Sequence, residues 1–294
     1  MRHGDEADAR ATQRRGGVVA IGPARHGLLR SLVAARGRRE LALFGAVYLL
    51  YDVARWVFAG HLAPARAHAR WVIHLERMLH VAIEGQVQRA LDSGVMSFLL
   101  SNLYLAAQLV VLPAALIWLY GRSPHAYRKL RDTVAAAWLI STPVFALYPV
   151  APPRLAGIGI RDTVSHQAGV ALTGHSTIFY NPYAAVPSLH VGLAFAIGLA
   201  VAAAVTSPWS KALALCWGPL VLLAVVVTGN HYVFDAATGL LVTVVAYGLT
   251  QGARRLPAGR RRTRSSPARP VPAGVRAESH LRDGARAAAA EGMA

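Results

Sequence analysis

The chain has a single cysteine, Cys216, so no disulfide can form within it and a disulfide-stapled scaffold is excluded. Charge is also scarce. Only 15% of the 294 residues are charged, against about 25% in an ordinary soluble domain. Hydrophobic residues make up 54%, which excludes disorder throughout, and a mean hydropathy of +0.37 argues against an ordinary soluble enzyme. Acids are the scarcest charges: 14 Asp+Glu face 31 Lys+Arg, for a net charge of +17. No sustained apolar stretch precedes Leu41, so no signal peptide is expected. No internal repeat is evident. Two classes remain: a basic nucleic-acid binder, or a membrane protein with basic ends.

The placement of charge separates them. Residues 93–121, 133–153, 163–210, 212–234 and 236–253 carry none. A bilayer core about 30 Å thick is crossed by about 20 apolar helical residues. The sequence therefore predicts spans near 95–120, 132–150, 188–206, 211–229 and 234–252. A sixth, 41–60, contains Asp52 and Arg55, which are three residues apart and expected to pair as a structural salt bridge facing the bundle. Mid-span Cys216 is expected to be a small packing residue. The expected fold class is all-α, a polytopic six-helix membrane bundle over 40–252. Residues 1–39 and 253–294 read as disordered polar tails, the latter rich in Arg, Ala, Pro and Gly.

Six spans place both tails on one side. Lys+Arg then divide 24 to 6, with the short connection 121–132 holding four of the 24 and Arg55 lying within a span. Short basic loops stay inside. Both termini are thus expected in the cytoplasm of a bacterial plasma membrane, with residues 61–94, 151–189 and 229–233 outside. Topology and anionic lipid account for the basic tails, and no nucleic-acid partner is expected. The sequence leaves the oligomeric state open.

Residues 66–92 show helical periodicity without enough apolar character to span. Trp71, Leu75, Met78, Leu79, Ala82 and Ile83 form one stripe, and His74, Arg77, Glu84 and Gln88 the other, which suggests an amphipathic helix at the interface or capping the bundle. His74, Glu76 and His80 do not have metal-site spacing, and no metal is expected. His125 sits in the cytoplasmic connection, away from the chemistry.

The outer segments hold a set of polar residues: Arg154, Asn181, Ser188, His190, His231 and Asp235. His231 and Asp235 are four apart, so on a helix the carboxylate can accept the imidazole Nδ1–H and leave Nε2 as nucleophile or base. His190 follows Pro187-Ser188, a helix start that favours an anion. Arg154 can grip phosphate oxygens bidentately. A nucleophilic His, an acidic His and an Arg clamp make a phosphoryl-transfer set.

The carrying motifs are YPVAPPR (148–154), NPYAAVPSLH (181–190) and GNHYVFDAATG (229–239). In these, over roughly 95–250, the chain resembles the type 2 phosphatidic acid phosphatase superfamily, most closely the branch of inositol phosphorylceramide synthase, the aureobasidin-resistance type. The resemblance implies that His231, oriented by Asp235, attacks phosphorus to give a phosphohistidine. It implies that His190 protonates the leaving group, that Arg154 binds phosphate with Ser188 a further contact, and that no metal or other cofactor is needed. Three positions depart from the phosphatase pattern. Leu147 stands in place of a Lys, Val225 in place of an Arg, and Leu189 in place of a Gly. Arg161, His166, His175 and Asn181 are candidates to complete the phosphate shell. The expectation is a lipid phosphatase or phosphotransferase working at the outer face on a membrane lipid phosphate. The rival reading is a catalytically inactive protein of the same fold that binds or transports lipid phosphates.

Overall fold

The computed structural model describes residues 35–57, 61–91, 93–167 and 181–255. The readings of the tails at 1–34 and 256–294, the side chains of Arg55 and His166, and His175 lie outside the described residues. The helical body belongs to the unit that ends at Ala253; of the unit beyond it only Arg254 and Arg255 are described.

Among the described residues the structure is helical and has no strand. In order these are α1 (Ala35–Val57), α2 (Leu62–Met78), α3 (Glu84–Ala90), α4 (Gly94–Arg122), α5 (Pro124–Leu147), the short α6 (Thr163–Gln167), α7 (Leu189–Ala204), α8 (Pro208–Val227) and α9 (Val233–Arg255). A widened π-type turn at Ala107–Val111 interrupts α4. Four helices are long and apolar enough to cross a membrane: α4, α5, α8 and α9. The protein is an integral membrane protein by this measure.

The two remaining expected spans differ for separate reasons. At 16 residues, α7 reaches about 24 Å, short of a core about 30 Å thick. At 23 residues α1 is long enough, but Glu40, Asp52 and Arg55 leave no uncharged run that spans. Its Glu40 instead pairs with Arg131 of α5 at 2.6 Å and accepts the Tyr127 hydroxyl at 3.1 Å. The expected loop 121–132 is mostly helix. Ser123 caps α5 by accepting the Ala126 N–H, and Pro124 sits in the first turn, where its missing N–H costs nothing.

The stripe assignment over 66–92 is corrected. The segment is two helices, broken around His80, whose φ is +57°. Trp71, Met78, Leu79 and Ile83 are exposed, whereas Glu76, Glu84 and Gln88 are buried. Small Ala65 and Ala69 let α2 approach the loops that carry the three motifs, and Val72 and Ile73 pack there with Val150, Ala151, Ala185 and Tyr232. The large apolar side chains face outward, and the carboxyls face in. Cys216 is exposed on α8 rather than packed.

Candidate active site

Main-chain hydrogen bonds tie the three motifs together. Val150 N–H donates to the Tyr183 carbonyl (2.7 Å), and Ala185 N–H to the Val150 carbonyl (3.3 Å), a single parallel bridge between first and second motifs. Arg154 N–H donates to the Gly229 carbonyl (3.0 Å), joining first and third. Ser188 N–H donates to the Asp235 carbonyl (2.9 Å), joining second and third. From the far side α2 adds Arg66 Nε to the Leu155 carbonyl (2.8 Å) and His68 Nδ1 to the Pro149 carbonyl (2.6 Å), with the His68 ring stacked on Tyr148.

Two glycines make this closeness possible. Gly229 adopts φ +68°, a left-handed conformation that side chains disfavour. On α9, Gly239 lies against the Ser188 carbonyl so tightly that a Cβ would overlap it.

The two histidines face one another, with ring centroids 5.8 Å apart. His190 is at the start of α7, where Ser188 is the N-cap and its hydroxyl accepts the Val191 N–H (3.5 Å). Its ring stacks on Tyr104 of α4 at 4.4 Å, which fixes its plane. His231 is not on a helix, as its spacing from Asp235 suggested; α9 begins two residues later. Its Nδ1–H donates to the Ala185 carbonyl at 2.9 Å, while Asp235 Oδ2 is 3.5 Å away. Asp235 Oδ2 accepts the Tyr232 N–H at 2.9 Å, capping the helix, and its Oδ1 has no hydrogen-bond partner. With Nδ1 committed as donor, Nε2 carries the lone pair. Burial, and then the nearby Arg154 charge, pull His231 down to about 4, against the opposing pull of the Ala185 carbonyl. The imidazole is neutral at physiological pH.

The Arg154 side chain is only 3% exposed and is held from two sides. Its Nε donates to Asn230 Oδ1 (3.0 Å) and its Nη1 to Asp162 Oδ2 (2.8 Å). Burial alone would raise the Asp162 carboxyl, but Arg154 and the Ser165 N–H and hydroxyl hold it below the ordinary carboxylate value. Thus Arg154, Ser188, His190, His231 and Asp235 come together. Asn181 lies in the same region, with its Oδ1 accepting the Tyr183 N–H (3.0 Å). Arg161 is exposed, and its backbone carbonyl and N–H both bond to the buried Gln88 side chain. His74 and His80 are exposed while Glu76 is buried, so those three do not converge.

The PAP2 superfamily matches residues 70–249, more than half the chain and all three motifs. The chain belongs to the PAP2 superfamily. No curated protein and no solved structure matches it. Membership supports a phosphoester-cleaving enzyme.

A cavity of about 720 Å³ opens from the PAP2 motifs. His190, His231, Asn230 and Asn181 line one end, and Glu40, Tyr120 and Tyr127 the other. Between them its wall is apolar, with Leu105, Leu109, Leu112, Leu116, Val134 and Trp138. From Tyr104 to Tyr120 along α4 the rise is about 24 Å, most of a hydrocarbon core about 30 Å thick.

Of the two charges missing from the phosphatase pattern, Leu147 is exposed and Val225 is fully buried in the α8 core. Sequence reasoning missed Asp162, Asn230, Tyr104, Glu76, Glu84 and Gln88 as parts of the site. One available signal was the ladder Glu76, His80, Glu84 and Gln88, four polar residues at four-residue spacing in an acid-poor chain, although the structure breaks that line at His80.

Proposed function

We propose that the protein is a membrane lipid phosphatase or phosphotransferase that works through a phosphohistidine on His231. The observation that carries this reading is the continuity of the cavity. His190 and His231 line the same cavity as the apolar side chains of α4 from Leu105 to Leu116. Such a shape suits a ligand with a phosphate head and a hydrocarbon tail.

In this reading Arg154 and the Ser188 hydroxyl hold the phosphate oxygens. His231 Nε2 attacks phosphorus, forming the N–P bond as the ester P–O bond breaks. The departing oxygen takes its proton from His190, which gains that proton as the phosphate anion binds beside it. The Ala185 carbonyl and Asp235 stabilise the positive charge that develops on the His231 ring. His190, now neutral, then takes a proton from the acceptor hydroxyl. The acceptor oxygen attacks phosphorus and the N–P bond breaks. Water as acceptor gives a phosphatase. An alcohol, whether a sugar, inositol or a lipid hydroxyl, gives a phosphotransferase. No step calls for a metal.

The topology proposed with it has six spans, with α1 and α7 completing the four longer helices. Both termini face the cytoplasm, the site faces out, and the basic tails rest on anionic lipid. The test is purified protein in detergent with a phosphorus-32 labelled lipid phosphate, with and without inositol. Acid-labile, alkali-stable label on the protein, absent in His231→Ala, is the expected result. Turnover by His231→Ala equal to wild type would rule the mechanism out.

A further inference from the structure

Three successive backbone N–H groups at the start of α9 end on three different carboxyls. Tyr232 N–H donates to Asp235 Oδ2 (2.9 Å), Val233 N–H to Glu84 Oε1 (3.0 Å) and Phe234 N–H to Glu76 Oε1 (2.7 Å). The first turn of any helix has such donors to satisfy, and one acid there is ordinary. Here two of the three acids come from α2 and α3, remote in sequence, and all three are at most 4% exposed. Glu76 and Glu84 also lie near enough to interact directly. Two carboxylates side by side and out of water repel, so burial and then Glu84 favour a proton on Glu76.

We propose that Glu76 and Glu84 are positioning residues that hold the first turn of α9 and so fix His231 for attack on phosphorus. The inference rests on His231 being the nucleophile. His231 immediately precedes the three capped residues, so the turn that the two carboxyls anchor sets where its backbone starts. Tyr232 is pinned as well, its hydroxyl donating to the Ala151 carbonyl (3.1 Å). The titratable groups facing Glu76 are Glu84 on α3, Asp235 on α9 and the Tyr232 phenol. Burial, followed by Glu84, pushes Glu76 up to about 8, against the pull of the Phe234 N–H. Loss of the Glu76 proton would set a buried charge against the neighbouring Glu84 carboxyl. Their repulsion separates α2 from α3, and the α9 turn they both hold moves with them. Neither carboxyl needs to touch the substrate.

The experiment uses full-length protein in detergent with phosphatidic acid as probe, following kcat and KM from about pH 6 to about pH 9.5, which brackets the titration of Glu76. Wild type should lose kcat as pH rises through about 8. Glu76→Gln is neutral at every pH and still accepts the Phe234 N–H, so its profile should lack this alkaline limb. Glu76→Ala should lower kcat by roughly 100-fold, as a misplaced nucleophile does, with KM little changed. Glu76→Gln should restore most of that loss. An alkaline limb unchanged in Glu76→Gln, or a Glu76→Ala effect confined to KM, overturns the proposal. If Glu76→Ala does not fold, the Glu76→Gln profile still decides. Wild type that neither turns over nor labels on His231 defeats the nucleophile reading itself. Active wild type with an unaltered limb defeats only the positioning role.

Discussion

His231 gives its Nδ1–H to the Ala185 carbonyl, 2.9 Å away, and stands 3.5 Å from Asp235. The backbone, not the carboxylate, is therefore the nearer partner that sets the tautomer. Where a carboxylate alone does so, replacing it by an amide costs about 10⁴-fold in kcat. Here Asp235→Asn keeps an acceptor for the Tyr232 N–H and leaves the Ala185 contact in place. The expected loss of kcat is smaller, roughly 10- to 100-fold, from removing a charge beside the developing imidazolium. Single-turnover kinetics of phosphohistidine formation would measure it, and a loss near 10⁴-fold would mean that Asp235 sets the tautomer after all.

The buried neutral state of His231 has a pH signature. Its value is pulled from 6.5 in the unfolded chain to about 4 in the folded one. Between these values the unfolded chain binds a proton that the folded chain refuses. Stability is therefore full above 6.5 and falls as pH drops towards 4, by up to about 3 kcal/mol. Asp162 acts in a lower window. Its folded value is depressed, so its contribution is present above 3.8 and is lost only as pH falls through that lower value. Thermal unfolding in detergent at about pH 7.5 and about pH 4.5 should show a smaller acid loss in His231→Gln than in wild type. Equal losses would place the titration elsewhere.

Spans and site differ in how far the sequence reveals them. Uncharged runs mark α4, α5, α8 and α9 because hydrocarbon excludes charge regardless of detailed packing. The same rule also marks 188–206, but the helix there, α7, has only 16 residues, and in 41–60 the charged Asp52 and Arg55 interrupt the run. Charge counting brings Arg154, His190, His231 and Asp235 to one surface, but spacing alone misassigns the Nδ1 partner, since His231 precedes α9 rather than sitting on it. Glu84 and Gln88 fall on the polar stripe of an amphipathic helix, the side that would ordinarily meet water. In a membrane-associated helix the polar face can turn inward and the apolar face outward, and periodicity does not distinguish the two. Only tertiary contacts reveal that inversion.

The close approach of α9 to the start of α7 is a further point of control. A methyl on Gly239 would overlap the Ser188 carbonyl, which is main chain and cannot rotate away. Gly239→Ala should cost about 1–3 kcal/mol by overpacking. It should also separate Ser188 and His190 from His231, so activity should fall further than stability alone explains. Gly248, with open space around its Cα, is the control, and Gly248→Ala should leave both unchanged. Thermal midpoint and turnover of the two variants, compared at a temperature where both are folded, would separate packing loss from site displacement.

The division of labour between the two histidines can be tested through the leaving group. If His190 acts in the first step as proton donor to the departing oxygen, its removal matters there in proportion to that oxygen's need for a proton. An alkoxide leaving from phosphatidic acid needs the proton, so His190→Ala should lose about 10²- to 10⁴-fold in the first step. A nitrophenolate departs without protonation, so with a nitrophenyl phosphate ester the same variant should lose little in the first step and accumulate phosphohistidine. Accumulation follows because His190 also deprotonates the acceptor in the second step. His231→Ala should lose both substrates alike, since it removes the atom that forms the bond. Burst kinetics would read both steps. Equal loss on the two esters in His190→Ala would show that His190, stacked on Tyr104 at 4.4 Å, serves to bind phosphate rather than to move a proton.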